Sequence, residues 1–544
     1  MNTQPDKETF YRLCAQATEI RTRVAALLPA ILTARRTFMR TRTDADRAEM
    51  ERLEQEGAEL MSRHHALAEP LRLAAGISQE ILAELDKPQI SGDGPNRMSR
   101  DSLRREAVDT TGYFDRHLEG AISELTALLP PDWASEQDEV PSRLDSLVSG
   151  DDCLSIVKGL RPESEFSPLH RLRQSLRLAR DFIDGVPTYD HFAGATLVPQ
   201  LARFGDLLPQ LREVRGDLNE RLSRLWAGAS AGVDSTMFEL FVAARCVEMG
   251  SRIEFIPEAS EKSPDLRSHD PFPLVIECKR KRVLTDYGLA EERIMRGIFL
   301  ALEREARAKG MFGRFGLRLT VEASEAPTSE IVARMISQRL AAHPERAVEY
   351  PWGSVAYRHL GRRDFLPGVT RLYSPNMLAA VFGWDSDVPE WDGMVCRVDG
   401  GAAIVDTVRQ PIALVWNNDS TIAVRRRSWS PLDLFGDAMN QIPKGEFAIV
   451  YLAYQEGARA EIADRRVNGF MGKMQDWMHS AAIRVPISFL LRLYPRALNE
   501  GQPDMIESAI RLFSGVVDLP KLFEDFPATI FTSPPEGDEN YDED

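Results

Sequence analysis

Cysteine is scarce. Cys14, Cys153, Cys246, Cys278 and Cys396 are scattered through 544 residues, with no Cys-x-x-Cys among them. That pattern argues against a disulfide framework and a zinc ribbon, and for a reducing cytoplasm. Histidine is equally unhelpful as a metal ligand: His343 and His359 stand alone, and no cluster with metal-ligand spacing occurs. No apolar run approaches the roughly 18 residues that a membrane helix needs, so no membrane partner is expected. The stretch Met1-Asn2-Thr3-Gln4-Pro5-Asp6-Lys7-Glu8 lacks the apolar segment of a secretion signal. There is no Walker A motif, no dinucleotide-binding glycine fingerprint and no kinase signature, so ATP use has no support. No fixed-period repeat argues for a solenoid. Positive charge is in deficit, with a formal net charge of -16. Broad, non-specific polyanion binding is disfavoured, but local basic patches remain able to set the field at a site.

What is present is a long chain with ordinary composition, 43% hydrophobic and 28% charged, which implies two or three domains. Residues 1–227 read as an all-α half. Leu13, Ile20, Val24, Leu27, Leu28, Ile31 and Leu32 form one apolar helical stripe, and Met50, Leu53, Leu60 and Met61 another. These predict a long helical hairpin over Thr9–Leu85, a candidate surface for homo-oligomer or protein contacts. Arg35, Arg36, Arg40 and Arg42 near its bend fit either a solvated helix end or a nucleic-acid contact. Further helices are expected over Arg100–Leu128, His170–Ile183 and Leu201–Leu225. The small residues Trp226-Ala227-Gly228-Ala229-Ser230-Ala231-Gly232 suggest a domain boundary.

From residue 228 to 530 strands and helices alternate, the signature of an α/β domain with a mixed sheet. A helix is expected over Asp234–Met249, then a strand at Arg252–Ile256. Pro264-Asp265 precedes a polar turn, and the apolar Leu274-Val275-Ile276 runs directly into Glu277-Cys278-Lys279. An apolar run of this kind bounded by turn residues reads as a buried strand. Glu277 and Lys279 then project to one face and Cys278 to the other. Burying an acid and an amine is costly unless they are paired or hold a metal. Asp265 and Glu277 from adjacent strands are the hard oxygen ligands that Mg2+ prefers, and Lys279 on the same face suits a growing phosphate charge. The competing reading is a surface hairpin with an exposed Glu277–Lys279 pair.

The order Pro264-Asp265, then Glu277-Cys278-Lys279, resembles the PD-(D/E)xK nuclease superfamily, the restriction-endonuclease-like fold. The resemblance is carried by Ser230–Arg282. It implies an α/β mixed sheet flanked by helices, Mg2+ or Mn2+ as cofactor, and Asp265 and Glu277 as metal ligands. It also implies Lys279 as the residue that assists the attacking water and the Cys278 backbone carbonyl as a further ligand. Glu239 matches the acid that the family's first helix often supplies. The alternative is a capping box, Thr236-Met237-Phe238-Glu239, with Glu239 bonding back to the helix start. Arg280, Lys281 and Arg282 follow the site, and Arg425, Arg426 and Arg427 with Trp429 form a second basic run. Each is either a solvated face or a nucleic-acid contact.

Residues 345–428 read as an elaboration of the nuclease domain, with strands at Ser354–Arg358, Met394–Val398 and Ile412–Trp416. Regular order returns at Pro431, and Phe447–Ala453 and Val485–Leu493 are expected to rejoin the same sheet. Residues 531–544 form an acidic tail, either solubilising or a mimic of DNA. The expected activity is Mg2+-dependent hydrolysis of DNA phosphodiester bonds. By analogy alone, a nuclease fused to a helical arm resembles bacterial anti-phage defence or mobile-element proteins. The alternatives are a catalytically inactive module that binds DNA or protein, and an RNase.

Overall fold

The computed structural model describes residues 44–67, 114–130, 143–148, 150–157, 170–186, 188–227, 232–257, 263–270, 273–281, 286–360, 363–364, 370–384, 390–399, 404–405, 407–428, 431–443, 446–481, 487–497, 503–513 and 526–531, with isolated positions elsewhere. The first elements are α1 (Asp44–His65), α2 (Phe114–Leu128), α3 (Arg143–Val148), β1 (Leu154–Val157), α4 (Arg171–Ile183), α5 (His191–Leu211), α6 (Leu218–Ala227) and α7 (Val233–Glu248). Then come β2 (Arg252–Phe255), β3 (Leu266–Asp270), β4 (Leu274–Lys281), α8 (Asp286–Ala308), β5 (Gly313–Leu319), α9 (Thr328–Gln338), β6 (Val348–Tyr350), β7 (Gly353–His359), β8 (Arg363–Asp364) and β9 (Thr370–Arg371). The chain continues through α10 (Pro375–Phe382), β10 (Gly393–Asp399), β11 (Ile404–Val405), β12 (Thr407–Asn418), α11 (Thr421–Arg427), α12 (Leu432–Met439), β13 (Ala448–Gln455), α13 (Ala460–Ala481), β14 (Ile487–Ala497) and β15 (Pro503–Phe513). Among the described residues, the fold is α/β, with thirteen α-helices and two mixed sheets.

The sheet that carries the predicted motif has the order β15-β14-β13-β4-β3-β2. Its centre, β13, is parallel to both β4 and β14. Parallel strands need cover on both faces, which is why β13 reads Ala-Ile-Val-Tyr-Leu-Ala-Tyr without polar alternation and is buried throughout. One face packs Ile449, Tyr451 and Ala453 against α5 and α7, in a core shared with Leu118, Leu176 and Leu201 of the preceding helices. The other face packs Val450, Leu452 and Tyr454 against Phe435, Ala438 and Phe470 of α12 and α13. Residues 447–493 therefore do rejoin the sheet of β4, as the sequence predicts.

The helices before residue 227 lie directly on this sheet. In α5, sixteen of 21 residues are buried, because the helix is enclosed by other helices and by β14 and β15. A Cβ on Gly205 would stand 2.1 Å from the His117 carbonyl oxygen of α2, so only glycine permits this helix crossing.

Three expectations are corrected. Residues 1–227 are not all helical: Leu154–Val157 forms β1, paired antiparallel with β10. Its Leu-Ser-Ile-Val sequence is too short to show a period. Residues 201–225 are not one helix. The chain breaks after Leu211 and turns through Gly216 at φ +90°, where a Cβ would meet the Phe255 carbonyl oxygen at 2.8 Å. Asp217 Oδ1 then caps α6 by accepting from Glu220 N. Finally, residues 345–428 do not merely decorate the motif's sheet. Their strands β6, β7, β10 and β12 join β1 and β5 in a second sheet, ordered β1-β10-β12-β5-β7-β6, with its own apolar core, while β9 pairs with β11 in a two-stranded sheet. Helix α8 carries the chain between the two sheets, and it buries Met295, Ile298, Phe299, Leu302 and Ala306 at helical spacing in that second core.

Of the predicted hairpin over Thr9–Leu85, α1 is described as a helix, while Arg35, Arg36, Arg40, Arg42, Arg282 and the acidic stretch Pro534–Asp544 lie outside the described residues. Phe531, at the tail's start, is buried and stacks on Phe238 of α7 with centroids 5.5 Å apart. No described helix is long and apolar enough to cross a membrane.

Candidate active site

The alternation of β4 sorts its side chains as the sequence predicts. Leu274, Ile276 and Cys278 enter the core under the helices, and Val275 enters the core on the opposite face. Glu277 follows Val275 by two residues and is fully buried. Lys279 shares that face and brings its Nζ to 2.5 Å from Glu277 Oε1. An exposed hairpin pair is thus ruled out by burial. The contact is a close ion pair, and among the described residues no other donor meets the Glu277 oxygens. Lys279 Nζ also donates to Gln441 Oε1, just beyond α12.

Asp265 stands immediately before β3. The β3–β4 ladder pairs Leu266 with Ile276. Continued by one step, this register sets Asp265 opposite Glu277, and opposed residues in an antiparallel ladder share a face. Three bonds hold Asp265 in place: Cys278 N donates to Asp265 Oδ2 at 2.8 Å, and Ile256 N at 3.0 Å and Arg221 Nη2 at 3.3 Å donate to the Asp265 carbonyl oxygen.

Glu239 lies within α7 and not at its start. The helix begins at Val233 with Gly232 as N-cap, so Thr236 is four residues inside and no capping box forms. Instead the Glu239 carboxylate accepts from Arg221 Nη1 at 2.7 Å. Glu239 is close enough to Asp265 and Glu277 for the charges to act on one another.

Burial is the leading cause that pushes Glu277 up to about 8, and the charge of Asp265 adds to it. Glu239 is likewise pushed up to about 8 by burial, then by Asp265. Burial also raises Asp265, against the opposing effect of the Cys278 N–H. For Lys279, burial acts downward, but Glu277 and Asp265 outweigh it and hold the ammonium above its ordinary value. The site sets one buried and two half-buried acids beside Arg221, Arg224 and Lys279.

Among the described residues, no three His, Cys, Asp or Glu side chains are gathered as a ready-made metal-binding group. The donor chemistry nonetheless fits a hard divalent cation. Asp265, Glu277 and Glu239 lie close enough for their charges to act on one another, and the buried Glu277 oxygens have the Lys279 ammonium as their partner.

The basic runs divide. Arg280 is tied into the fold by partners of its own. Its Nη1 donates to Gln200 Oε1 at 2.9 Å and to the Asp234 carbonyl oxygen at 3.1 Å, and its guanidinium lies over the Phe531 ring. Burial pulls its pKa down. Arg427 is also interior, paired with Glu291 and Asp392. Lys281 is half-buried, and Arg425 and Arg426 are exposed, with Arg426 over the Tyr287 ring.

Two neighbours of the site were not predicted. Gln441 has no motif. Arg221 lies within Leu201–Leu225, which reads as one helix, although Gly216-Asp217, a helix stop followed by an N-cap residue, marks the start of its own short helix. No family model, curated protein or solved structure matches this chain.

Proposed function

We propose that the protein is a Mg2+- or Mn2+-dependent nuclease of the PD-(D/E)xK type that hydrolyses DNA. The observation that carries this reading is Asp265, just before β3, standing close enough to Glu277 of β4 for their charges to act on one another, with Lys279 paired to Glu277 on the same face. Asp265 and Glu277 hold the cation, with Glu239 and the Cys278 carbonyl as further oxygen donors. When bound, the cation supplies Lewis-acid polarisation of the phosphodiester.

The protein's own groups do the rest. Asp265 and Glu277 carry the negative charge that selects the cation, and both must give up any proton to do so. Lys279, released from its ion pair with Glu277, orients the attacking water and neutralises charge growing on the phosphate. One bond forms between the water oxygen and phosphorus as the bond to the ribose oxygen breaks in line. Exposed Arg425 and Arg426 and half-buried Lys281 are left as phosphate contacts.

A second reading has its own support. Lys279 already neutralises Glu277, and its ammonium also bonds Gln441. A site satisfied in this way fits a nuclease-like module that binds DNA or protein without cleaving. Incubation with plasmid, single-stranded DNA and RNA, each with and without Mg2+, separates the two. Metal-dependent cleavage supports the enzyme, and its substrate preference separates DNase from RNase. Stable binding without cleavage supports the module.

A further inference from the structure

We infer that Arg221, which lies outside the motif and before the glycine-rich boundary, is the positioning residue of the metal centre. This inference rests on the metal-site reading above.

Arg221 is 2% exposed, which is unusual for a guanidinium and requires built-in partners. It has three that matter here. Nη1 donates to Glu239 Oε2 at 2.7 Å. Nη2 donates to the Ile256 carbonyl oxygen at 2.7 Å and to the Asp265 carbonyl oxygen at 3.3 Å. The guanidinium also lies over the Phe255 ring, 5.6 Å from its centroid. One planar group therefore ties an acid on α7, the end of β2 and the start of β3.

The consequence for the site is direct. Asp265 stands at the edge of the ladder, just before β3, and its backbone is fixed by Ile256 N and by Arg221. Its carboxylate is then aimed by the Cys278 N–H. Glu239 sits among acids that repel it, and Arg221 holds its carboxylate in place. Arg221 touches neither substrate nor cation in this arrangement. It acts by setting where two oxygen donors stand, the role that outer partners of metal ligands commonly play. The turn at Gly216 and the Asp217 cap place α6 so that Arg221 reaches inward. The helices before residue 227 thus contribute a residue to the site. A lysine cannot replace the guanidinium, because a single ammonium does not reproduce the fork.

The test uses the full chain, with Mn2+ binding read by electron paramagnetic resonance and folding by circular dichroism. The variants are R221K, R221M, E239Q, D265N and R221M/E239Q. Expected are a roughly 10- to 100-fold loss of Mn2+ affinity in folded R221K or R221M and cleavage recovered by raising Mn2+. The double variant should lose less than the sum of its parts, because Arg221 works partly through Glu239. If R221M does not fold, R221K carries the measurement. Wild-type Mn2+ affinity in folded Arg221 variants, strictly additive losses, or failure of both to fold would overturn the inference. The metal-site reading fails separately if wild type binds no Mn2+ or D265N binds as wild type does, and the inference falls with it. If D265N loses Mn2+ while the Arg221 variants do not, only the inference falls.

Discussion

The ammonium of Lys279 lies 2.5 Å from a carboxylate oxygen of Glu277, a side chain with no exposed surface, and both project from the same face of β4. A buried acid and a half-buried amine two residues apart on one strand neutralise each other until something stronger arrives. That relationship fixes what each substitution at the site should do.

Lys279→Met keeps the stem and removes the charge. Burial already favours the proton on Glu277, and without Lys279 that proton is held more tightly, so the fold survives with a loss of about 1–3 kcal/mol, the usual cost of removing the partner of a buried polar group. Cleavage falls far more, on the order of 100- to 1,000-fold, as for the loss of one preorganised stabiliser of transition-state charge. Chemical denaturation and plasmid nicking measured on one preparation check both halves. Activity within a few-fold of wild type would remove Lys279 from the mechanism.

Stability without metal should decline as pH rises. Glu277 and Glu239, ordinarily near 4.5, are pushed up to about 8 in the folded protein. Between those values the folded state holds protons that the unfolded chain has released. Unfolding free energy therefore falls with rising pH. The favourable contribution is complete below 4.5 and gone once pH passes about 8. Urea midpoints measured from pH 5 to pH 9 should fall, and Glu277→Gln should flatten the slope. A rising midpoint over that window would mean the acids are ionised when folded.

The two basic runs should separate by stability and not by sequence. Arg427→Ala strands Glu291 and Asp392 in the interior, at a cost of about 3–5 kcal/mol. Arg280→Ala leaves Gln200 and the Asp234 carbonyl without their donor and should cost about 1–3 kcal/mol. Arg425→Ala, on an exposed helix face, should stay within about 0.5 kcal/mol. It should instead weaken DNA binding and flatten its salt dependence. Denaturant midpoints for the three variants, beside binding at two salt concentrations, check this.

How much the sequence revealed depends on whether a signal is local. The alternation through Val275, Glu277 and Lys279 is a two-residue period, and it placed those side chains on one face without any tertiary knowledge. The continuous apolar run of β13 showed a strand covered on both sides for the same reason. The pairing of Leu154–Val157 with Gly393–Asp399 joins segments more than 200 residues apart, and no local period encodes it. Arg280 and Arg427 have the same local look as Arg425, because burial of a cation is decided by partners such as Gln200 and Glu291 far along the chain. Arg221 is hidden for a different reason: Leu201–Leu225 reads as one helix, whereas the positive φ of Gly216 ends one helix and starts another.

The central claim is that Asp265 and Glu277 share a divalent cation, and the most direct measurement is calorimetric titration of Mn2+ into wild type and Asp265→Asn at a pH above the value of about 8 to which Glu277 is raised. We predict saturable binding by wild type and at least a roughly tenfold weaker affinity in the variant. No binding by wild type, or equal affinity in the two proteins, would contradict the account.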